Sequence, residues 1–106
     1  MKDAKKLNIT KSQDLFGEAT KLIPGGVLGA RKPSDFIEGE YPIFLENGKG
    51  CRLTDVDGNE YIDFLCGYGP IILGYREEEV DEAVISQIRD KGFCFTLTQR
   101  YQNQLA

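Results

Sequence analysis

The first regular feature of the chain is a helical spacing of apolar side chains. Five apolar residues recur at intervals that place them on one face of a helix. They are Leu15, Phe16, Ala19, Leu22 and Ile23. Ser12 lies where a helix cap is expected, and Pro24-Gly25-Gly26 ends the helix because proline lacks an amide hydrogen. The pattern therefore predicts an N-terminal helix that starts near Ser12 and stops before Pro24.

The middle of the chain has the two-residue alternation of β-strands. Segments 42–46, 51–55 and 61–65 are short and apolar or alternating, and the turn signals Asn47-Gly48 and Asp57-Gly58-Asn59 separate them. Strands joined by such short turns pair in opposite directions. The pattern therefore predicts a three-stranded antiparallel meander.

The last third of the chain returns to helical patterns. Residues 67–74 are rich in glycine, and Glu77-Glu78-Glu79 then favours the start of a second helix, which Lys91-Gly92 ends. Residues 93–97 alternate like another short strand, and residues 99–106 have the pattern of a helix that is beginning. The predicted fold class is therefore α+β, with an N-terminal helix, a three-stranded antiparallel meander and one or two further helices.

Composition and charge narrow the function classes. The chain has 106 residues, 28% charged and 41% hydrophobic, with a net charge of −4 and no histidine. This is the balance of a globular domain, and the negative charge disfavours nucleic acid or an anionic membrane as a partner. Without histidine there is no Ser-His-Asp triad and no histidine metal ligand. Apolar runs such as residues 71–73 are far too short to span a membrane, and the charged start is not a signal peptide.

The acidic turn could be taken for a calcium site. Asp55, Asp57 and Asn59 match the first ligand positions of an EF-hand loop, but Glu60 and Cys66 stand where that loop requires glycine and glutamate. We therefore expect a hairpin turn in which the Asp and Asn side chains bond their own backbone.

The cysteines and glycines carry no recognisable site motif. Cys51, Cys66 and Cys94 are too widely spaced for a zinc motif and have apolar neighbours, so we expect buried, inert free thiols in a reducing cytoplasm. The glycine-rich segments 24–26 and 67–74 lack the spacing of known phosphate-binding loops.

Several sequence blocks, in this order, resemble a known family. They are Ser12-x-x-Leu15-Phe16-x-x-Ala19, Ile23-Pro24-Gly25-Gly26-Val27, Asp55-Val56-Asp57-Gly58-Asn59-x-Tyr61-Ile62-Asp63-Phe64, Tyr68-Gly69-Pro70-x-Ile72-Leu73-Gly74, and Lys91-Gly92-x-x-Phe95. Together they resemble the N-terminal part of a class III aminotransferase, a family that depends on pyridoxal phosphate (PLP). The closest branch is the glutamate-1-semialdehyde 2,1-aminomutase-like one, and the resemblance runs from about Ser12 to Ala106.

The resemblance implies that these elements are the N-terminal part of a larger fold-type I PLP-dependent transferase. In that family the Schiff-base lysine, the aspartate that pairs with the pyridine nitrogen and the phosphate-binding loop lie downstream. The expected organisation is a polar arm at 1–11, an N-terminal helix, loop and small sheet at 12–66, and a glycine-rich pocket loop with the beginning of the large PLP domain at 67–106. PLP is therefore expected in the full-length parent, and no cofactor is expected on this chain alone.

The resemblance also implies substrate-binding residues. In the family, the loop after the Pro-Gly-Gly turn carries an arginine for the substrate carboxylate; Lys32 stands at that spacing and Arg31 one residue early. Tyr68 takes the place of a pocket-lining aromatic residue that is often tryptophan. Phe95 and Thr96 match a segment that reaches the partner subunit's pocket. No catalytic, cofactor-binding or metal-binding residue is expected within this chain.

Two functional hypotheses follow. In the first, the chain is a segment of a cytoplasmic, homodimeric enzyme that moves an amino group between a small-molecule amino acid or amine and a keto acid or aldehyde. The segment alone is then expected to be inactive because the Schiff-base lysine region is absent. The alternative is a non-catalytic interaction or complementing module that pairs with a separate chain. In neither case is a nucleic acid or a membrane the expected partner.

Overall fold

The computed structural model describes residues 6–29, 31–37, 39–93, 95 and 97–106. The chain divides into two compact units, of which the first ends at Tyr75 and the second begins at Arg76. The first unit contains α1 (Thr10–Leu22), β1 (Leu45–Lys49), β2 (Arg52–Asp55) and β3 (Glu60–Ile62); the second contains α2 (Glu78–Lys91) and α3 (Arg100–Leu105). The predicted α+β class is confirmed. The predicted division into residues 1–11, 12–66 and 67–106 stays a prediction.

Helix α1 starts earlier than the sequence indicates. It begins at Thr10, and Ser12 is fully buried inside its first turn, so the capping role predicted for Ser12 is wrong. The amides at this end are bound instead by a carboxylate that lies far along the sequence, as described below. The helix ends at Leu22, before Pro24, as predicted.

The sheet is the predicted antiparallel meander, in the order β1-β2-β3. Its first turn lies elsewhere than predicted. Lys49 pairs with Arg52, so the hairpin turn is formed by Gly50 and Cys51, and Asn47-Gly48 lies within β1. Gly50 has a φ of 55°, which suits a two-residue hairpin turn. The strong local turn signal at Asn47-Gly48 is overridden by the pairing of the strands.

Tyr75 closes the hairpin from outside the sheet. Its amide and carbonyl exchange two hydrogen bonds of 2.8 Å with Gly50. Its ring lies on β1 at Gly48, where an added Cβ would be 2.7 Å from the Tyr75 Cγ atom. Gly48 is therefore a strand residue whose missing side chain makes room for an aromatic ring.

In the second unit, both predicted ends of α2 are confirmed. The Glu77 carboxylate accepts a hydrogen bond of 2.9 Å from the Val80 amide at the start, and Gly92 follows the last helical residue, Lys91. The predicted strand over residues 93–97 is wrong for the residues that are described there, since Phe93, Phe95 and Leu97 lie outside any strand. A strand needs a hydrogen-bonded neighbour, and the sheet pairings found among the described residues include none of them.

Few residues are buried in the described part of the chain, and the two that are fully buried are polar. Asp55 and Ser12 are fully buried, and Ile9, Gly26 and Pro42 are also buried. Large apolar side chains such as Phe64 and Ile72 are exposed, to 91% and 82%. Among the described helices, none has the length and apolar character that crossing a membrane requires.

The expectation that the cysteines are buried is wrong for the two that the structure describes. Cys51 is exposed in the hairpin turn and Cys66 is half-buried, and both are free thiols. Cys51 stands between Gly50 and Arg52 in an exposed turn, and Leu65, the apolar neighbour of Cys66, is itself exposed. Cys94 lies outside the described residues.

Candidate functional site

The turn between β2 and β3 is organised around the buried carboxylate of Asp55. Its Oδ1 accepts hydrogen bonds from the amides of Asp57 (3.0 Å) and Asn59 (2.8 Å). Its Oδ2 accepts from Asn59 Nδ2 (2.8 Å) and from the Tyr61 hydroxyl (2.7 Å). Burial opposes ionisation of Asp55, but these donors outweigh it and hold its pKa below the ordinary value. The predicted turn is confirmed for Asp55, whose side chain bonds local backbone. It is wrong for Asn59, whose side chain donates to the distant Asn8 carbonyl (2.7 Å) and to Asp55.

Asp57 joins this turn to the start of α1. Its Oδ1 accepts from the Lys11 amide (2.7 Å), and its Oδ2 accepts from the amide (2.9 Å) and hydroxyl (2.7 Å) of Ser12. Partial burial would raise the pKa of Asp57, but the bonds from Ser12 and Lys11 lower it below the ordinary value. The free amides and partial positive charge of a helix N-terminus explain this preference for a carboxylate.

Asp63 holds the next segment, residues 64–73, which we call the aromatic loop. One oxygen of Asp63 accepts from the amides of Leu65 (2.7 Å) and Cys66 (3.0 Å), and the other accepts from the Tyr75 hydroxyl (2.8 Å). The bond from Tyr75, followed by those from the two amides, lowers the pKa of Asp63. Asp63 thereby joins the start of the aromatic loop to Tyr75, which lies two residues beyond its end.

We expect acid to destabilise the first unit through these three carboxylates. Their pKa values are lowered in the folded chain, so the stability they contribute is present above their ordinary pKa, near 4, and is lost as the pH falls through the lower folded values. Urea denaturation followed by circular dichroism at pH 7, 5, 4 and 3 measures this loss.

The matched comparison for the acid effect is between two Asp→Asn variants. Asp57→Asn removes one of the hydrogen-bonded carboxylates, so its stability should fall less steeply below pH 4 than that of the unchanged chain. Asp14→Asn removes an exposed carboxylate of α1 and should keep the steep fall. Equal slopes for the two variants would contradict the role assigned to Asp57.

The structure places Arg31 and Lys32 beside the turn that ends α1. Arg31 lines a cleft of about 370 Å³ in the first unit, together with residues of the end of α1 and of segment 41–44. Lys32 is fixed by its amide, which donates to Asp35 Oδ2 (2.9 Å), and its side chain lies over Gly25. Both residues are exposed. The substrate-binding role of Arg31 and Lys32 stays a prediction.

Tyr68 lies in the aromatic loop and is 82% exposed. Its amide donates to the Leu65 carbonyl at 2.9 Å. Within the described residues, Tyr68 is not part of the lining of the Arg31 cleft and shares no hydrogen bond with Arg31 or Lys32. The described part of the first unit therefore does not gather these three predicted substrate residues into one pocket.

The two remaining predicted residues belong to the second unit. Phe95 is half-exposed and lines a cleft with residues of α2 and α3. Thr96 lies outside the described residues. Their contribution to a pocket of the partner subunit stays a prediction.

A polar cluster that the sequence did not reveal lies in the same cleft. Lys91 Nζ donates to the Tyr101 hydroxyl at 3.3 Å, and that hydroxyl donates to Gln87 Oε1 at 3.3 Å. The Arg100 guanidinium carbon is 5.1 Å from the centre of the Tyr101 ring. The spacing of apolar residues could not predict this cluster, because Lys91 and Tyr101 lie on different helices and their contact depends on how the chain folds between them.

We assign none of the described residues to the binding of PLP. Holding that cofactor requires a lysine amine for its aldehyde, an acid for its ring nitrogen and clustered donors for its phosphate. Every lysine in the described part of the chain is exposed, and Asp55, Asp57 and Asp63 are occupied by hydrogen bonds of the fold. Within the same residues, no group of three or more potential metal ligands lies together.

Comparison with known proteins gives a consistent family assignment. The profile of the family described as Aminotransferase class-III matches residues 36–106. The 3-aminobutyryl-CoA aminotransferase of Cloacimonas acidaminovorans is 65% identical over 102 residues, which are 96% of this chain and 25% of that protein. The glutamate-1-semialdehyde 2,1-aminomutase of Methanococcoides burtonii is 45% identical over 84% of this chain and 20% of that protein.

Solved structures agree with the sequence comparison. The FumI protein of Sphingopyxis sp. MTA144, solved in a PLP form, superimposes with a TM-score of 0.75 and 36% identity, over 92% of this chain and 23% of that one. The chain thus spans about a quarter or less of the length of the proteins it matches. On the family profile, the identities and the shared fold, the chain belongs to the class III aminotransferase family.

Proposed function

We propose that this chain is the N-terminal segment of a PLP-dependent class III aminotransferase or aminomutase. The parent reaction moves an amino group between an amino acid or amine and a keto acid or aldehyde. The observation that carries the proposal is the 65% identity, over 96% of the chain, to a 3-aminobutyryl-CoA aminotransferase. The PLP form of the structurally similar FumI protein supports PLP as the cofactor of the parent.

The difference in identity favours one substrate class within the family. The relative named for a coenzyme A (CoA) thioester is 65% identical, whereas the aminomutase relative is 45% identical. In a thioester the carboxylate of the amino acid is replaced by an uncharged carbonyl. A single-point donor such as Lys32 can serve a carbonyl, whereas a carboxylate favours the two parallel bonds of an arginine. We therefore infer that the parent acts on an amino-acyl-CoA thioester.

The proposed contribution of this segment is to position groups around the reaction rather than to perform it. Asp63 joins the start of the aromatic loop, which presents Tyr68, to Tyr75 beyond its end. Arg31 and Lys32 are presented beside a cleft, with Lys32 held through Asp35. When bound, PLP supplies the electron-withdrawing ring on which amino transfer depends. Alone, the segment is expected to catalyse no transfer.

The test exchanges the matching segment of a relative. The 102 residues of this chain that match the Cloacimonas acidaminovorans enzyme would replace their equivalent in that enzyme, with the equivalent part of the Methanococcoides burtonii aminomutase as the control exchange. We expect the first hybrid to transfer the amino group of 3-aminobutyryl-CoA at a rate within about tenfold of the unchanged enzyme. The control hybrid should lose more. A first hybrid that folds and binds PLP, but does not transfer, would contradict the proposal.

The exposed apolar surface favours a second candidate, a complementing module that pairs with a separate chain. Phe64, Tyr68 and Ile72 of the aromatic loop are all more than four-fifths exposed, at 91%, 82% and 82%. Apolar surface of this kind marks a contact with other protein. In the same assay, this chain would be mixed with the remaining part of the Cloacimonas enzyme expressed separately. Recovered transfer activity supports the module, whereas activity in the joined hybrid alone supports the first proposal.

We also propose that the parent is a cytoplasmic homodimer, as the family resemblance implies. The exposed side chains of the aromatic loop support a need for covering protein, which a large domain or a second subunit would supply. The free thiols of Cys51 and Cys66 support a reducing compartment.

A further inference from the structure

The second unit contains a cleft whose charge is opposite to that of the chain. It has a volume of about 480 Å³ and lies between the end of α2 and the start of α3. The charged residues in its lining, Lys91 and Arg100, are both cations, although the chain carries a net charge of −4. Glu79 and Asp90 line the neighbouring cleft along α2, and Asp90 is paired there with Arg89 at 2.9 Å.

The two cations are held against one aromatic ring. Lys91 Nζ lies 3.3 Å from the Tyr101 hydroxyl, and the Arg100 guanidinium carbon lies 5.1 Å from the ring centre. The hydrogen bond from Lys91 and then the nearby Arg100 lower the pKa of Tyr101, so this point favours negative charge. Phe95 adds a second ring to the lining and is 52% exposed.

Cations beside accessible aromatic rings match a particular ligand chemistry. Lysine and arginine bind phosphate through charge-assisted hydrogen bonds. Aromatic side chains stack on the flat face of a nucleobase. A phosphorylated adenosine carries both groups and is one end of CoA. Its long pantetheine arm separates that end from the amino-acyl group that reacts.

We propose that this cleft binds the phosphorylated adenosine end of a CoA thioester, with Lys91 and Arg100 on the phosphates and Phe95 or Tyr101 against the adenine. This inference rests on the proposed function, since it assigns part of the same substrate to the second unit. The residues of this cleft belong to the second unit, whereas Arg31, Lys32 and Tyr68 belong to the first.

The direct test is a calorimetric titration of this chain with CoA, with pantetheine and with inorganic phosphate. We expect CoA to bind, pantetheine not to bind, and phosphate to bind at least about a hundredfold more weakly than CoA. Lys91→Gln and Arg100→Gln should each weaken CoA binding about tenfold, the loss expected when a charge-assisted hydrogen bond is removed. Arg89→Gln is the matched control, because it removes the same charge from α2 outside the cleft. Equal binding of CoA and pantetheine, or equal losses for all three variants, would overturn the proposal.

The hybrid enzyme separates failure of this site from failure of the proposed function. We expect Arg100→Gln to raise the KM for 3-aminobutyryl-CoA about tenfold, and to leave kcat and the KM for the 3-aminobutyryl thioester of pantetheine unchanged. The hybrid could transfer amino groups from both the CoA and the pantetheine thioester while Arg100→Gln changes neither KM. In that case the cleft does not bind the adenosine end, and the proposed function stands. If the hybrid transfers from neither thioester, the proposed function fails, and CoA binding by the chain alone still decides the site.

Discussion

Replacing Asp55 by alanine is expected to lower the free energy of unfolding by about 2–4 kcal/mol. The Asp55 carboxylate is 1% exposed and accepts four hydrogen bonds. Alanine would leave the amides of Asp57 and Asn59 and the Tyr61 hydroxyl without this acceptor, and an unpaired buried donor is costly. Urea denaturation followed by circular dichroism and tyrosine emission measures the change, since the chain contains no tryptophan.

Two further variants show whether the loss comes from the hydrogen bonds of Asp55. Tyr61→Phe removes one of the four bonds and should cost about 1 kcal/mol. Asp14→Ala removes an exposed aspartate of α1 and should cost less than about 0.5 kcal/mol. A similar loss from Asp55→Ala and Asp14→Ala would show that the turn does not depend on this network.

The second large effect is expected for Gly74→Ala, which should cost at least about 2 kcal/mol. Gly74 has a φ of 90°, a conformation that side chains disfavour by about 1–2 kcal/mol. An added Cβ would also lie 2.9 Å from the carbonyl carbon and oxygen of Gly50. The contact is with backbone, so relief requires that Gly50 or Tyr75 move and that their paired hydrogen bonds weaken. The same urea experiment measures the loss.

Gly39→Ala separates the two causes of that loss. Gly39 has a φ of 85°, similar to that of Gly74, but an added Cβ there would meet no atom of the described residues within 4 Å. It should therefore show the conformational cost alone, about 1 kcal/mol. If Gly39→Ala and Gly74→Ala lower the free energy of unfolding equally, the close approach of Gly74 to the hairpin turn does not contribute to the loss.

Local patterns were sufficient wherever an element depends on near neighbours. The apolar spacing from Leu15 to Ile23 and the break at Pro24 located most of α1, and the acidic start and Gly92 located α2. Helix formation and termination depend on hydrogen bonds and backbone freedom within a few residues, so sequence carries that information. The order of the three strands was likewise predictable because each follows the previous one after a short turn.

Local sequence patterns gave wrong predictions where the structure of a segment depends on a partner elsewhere in the chain. Asn47-Gly48 has the composition of a hairpin turn, yet it lies in β1 because strand pairing and the contact with Tyr75 place the turn at Gly50. Residues 93–97 alternate like a strand, but the pairings found among the described residues do not include them. Of the proposed site residues, Arg31 and Lys32 could be placed beside the Pro-Gly-Gly turn because they are near it in sequence, whereas the cluster of Lys91 and Tyr101 could not.

The α+β class, the order of the meander, the end of α1 and the family follow from the amino-acid sequence, because each depends on short-range spacing or on blocks of residues in a fixed order. The roles of the buried polar residues depend instead on contacts between distant parts of the chain. Ser12 is 45 positions from Asp57, and its apparent capping role disappears because that carboxylate binds the helix amides in its place. Lys91 and Arg100, two cations of an acidic chain, likewise line one cleft with aromatic residues because the fold brings them together. No local sequence pattern encodes this contact.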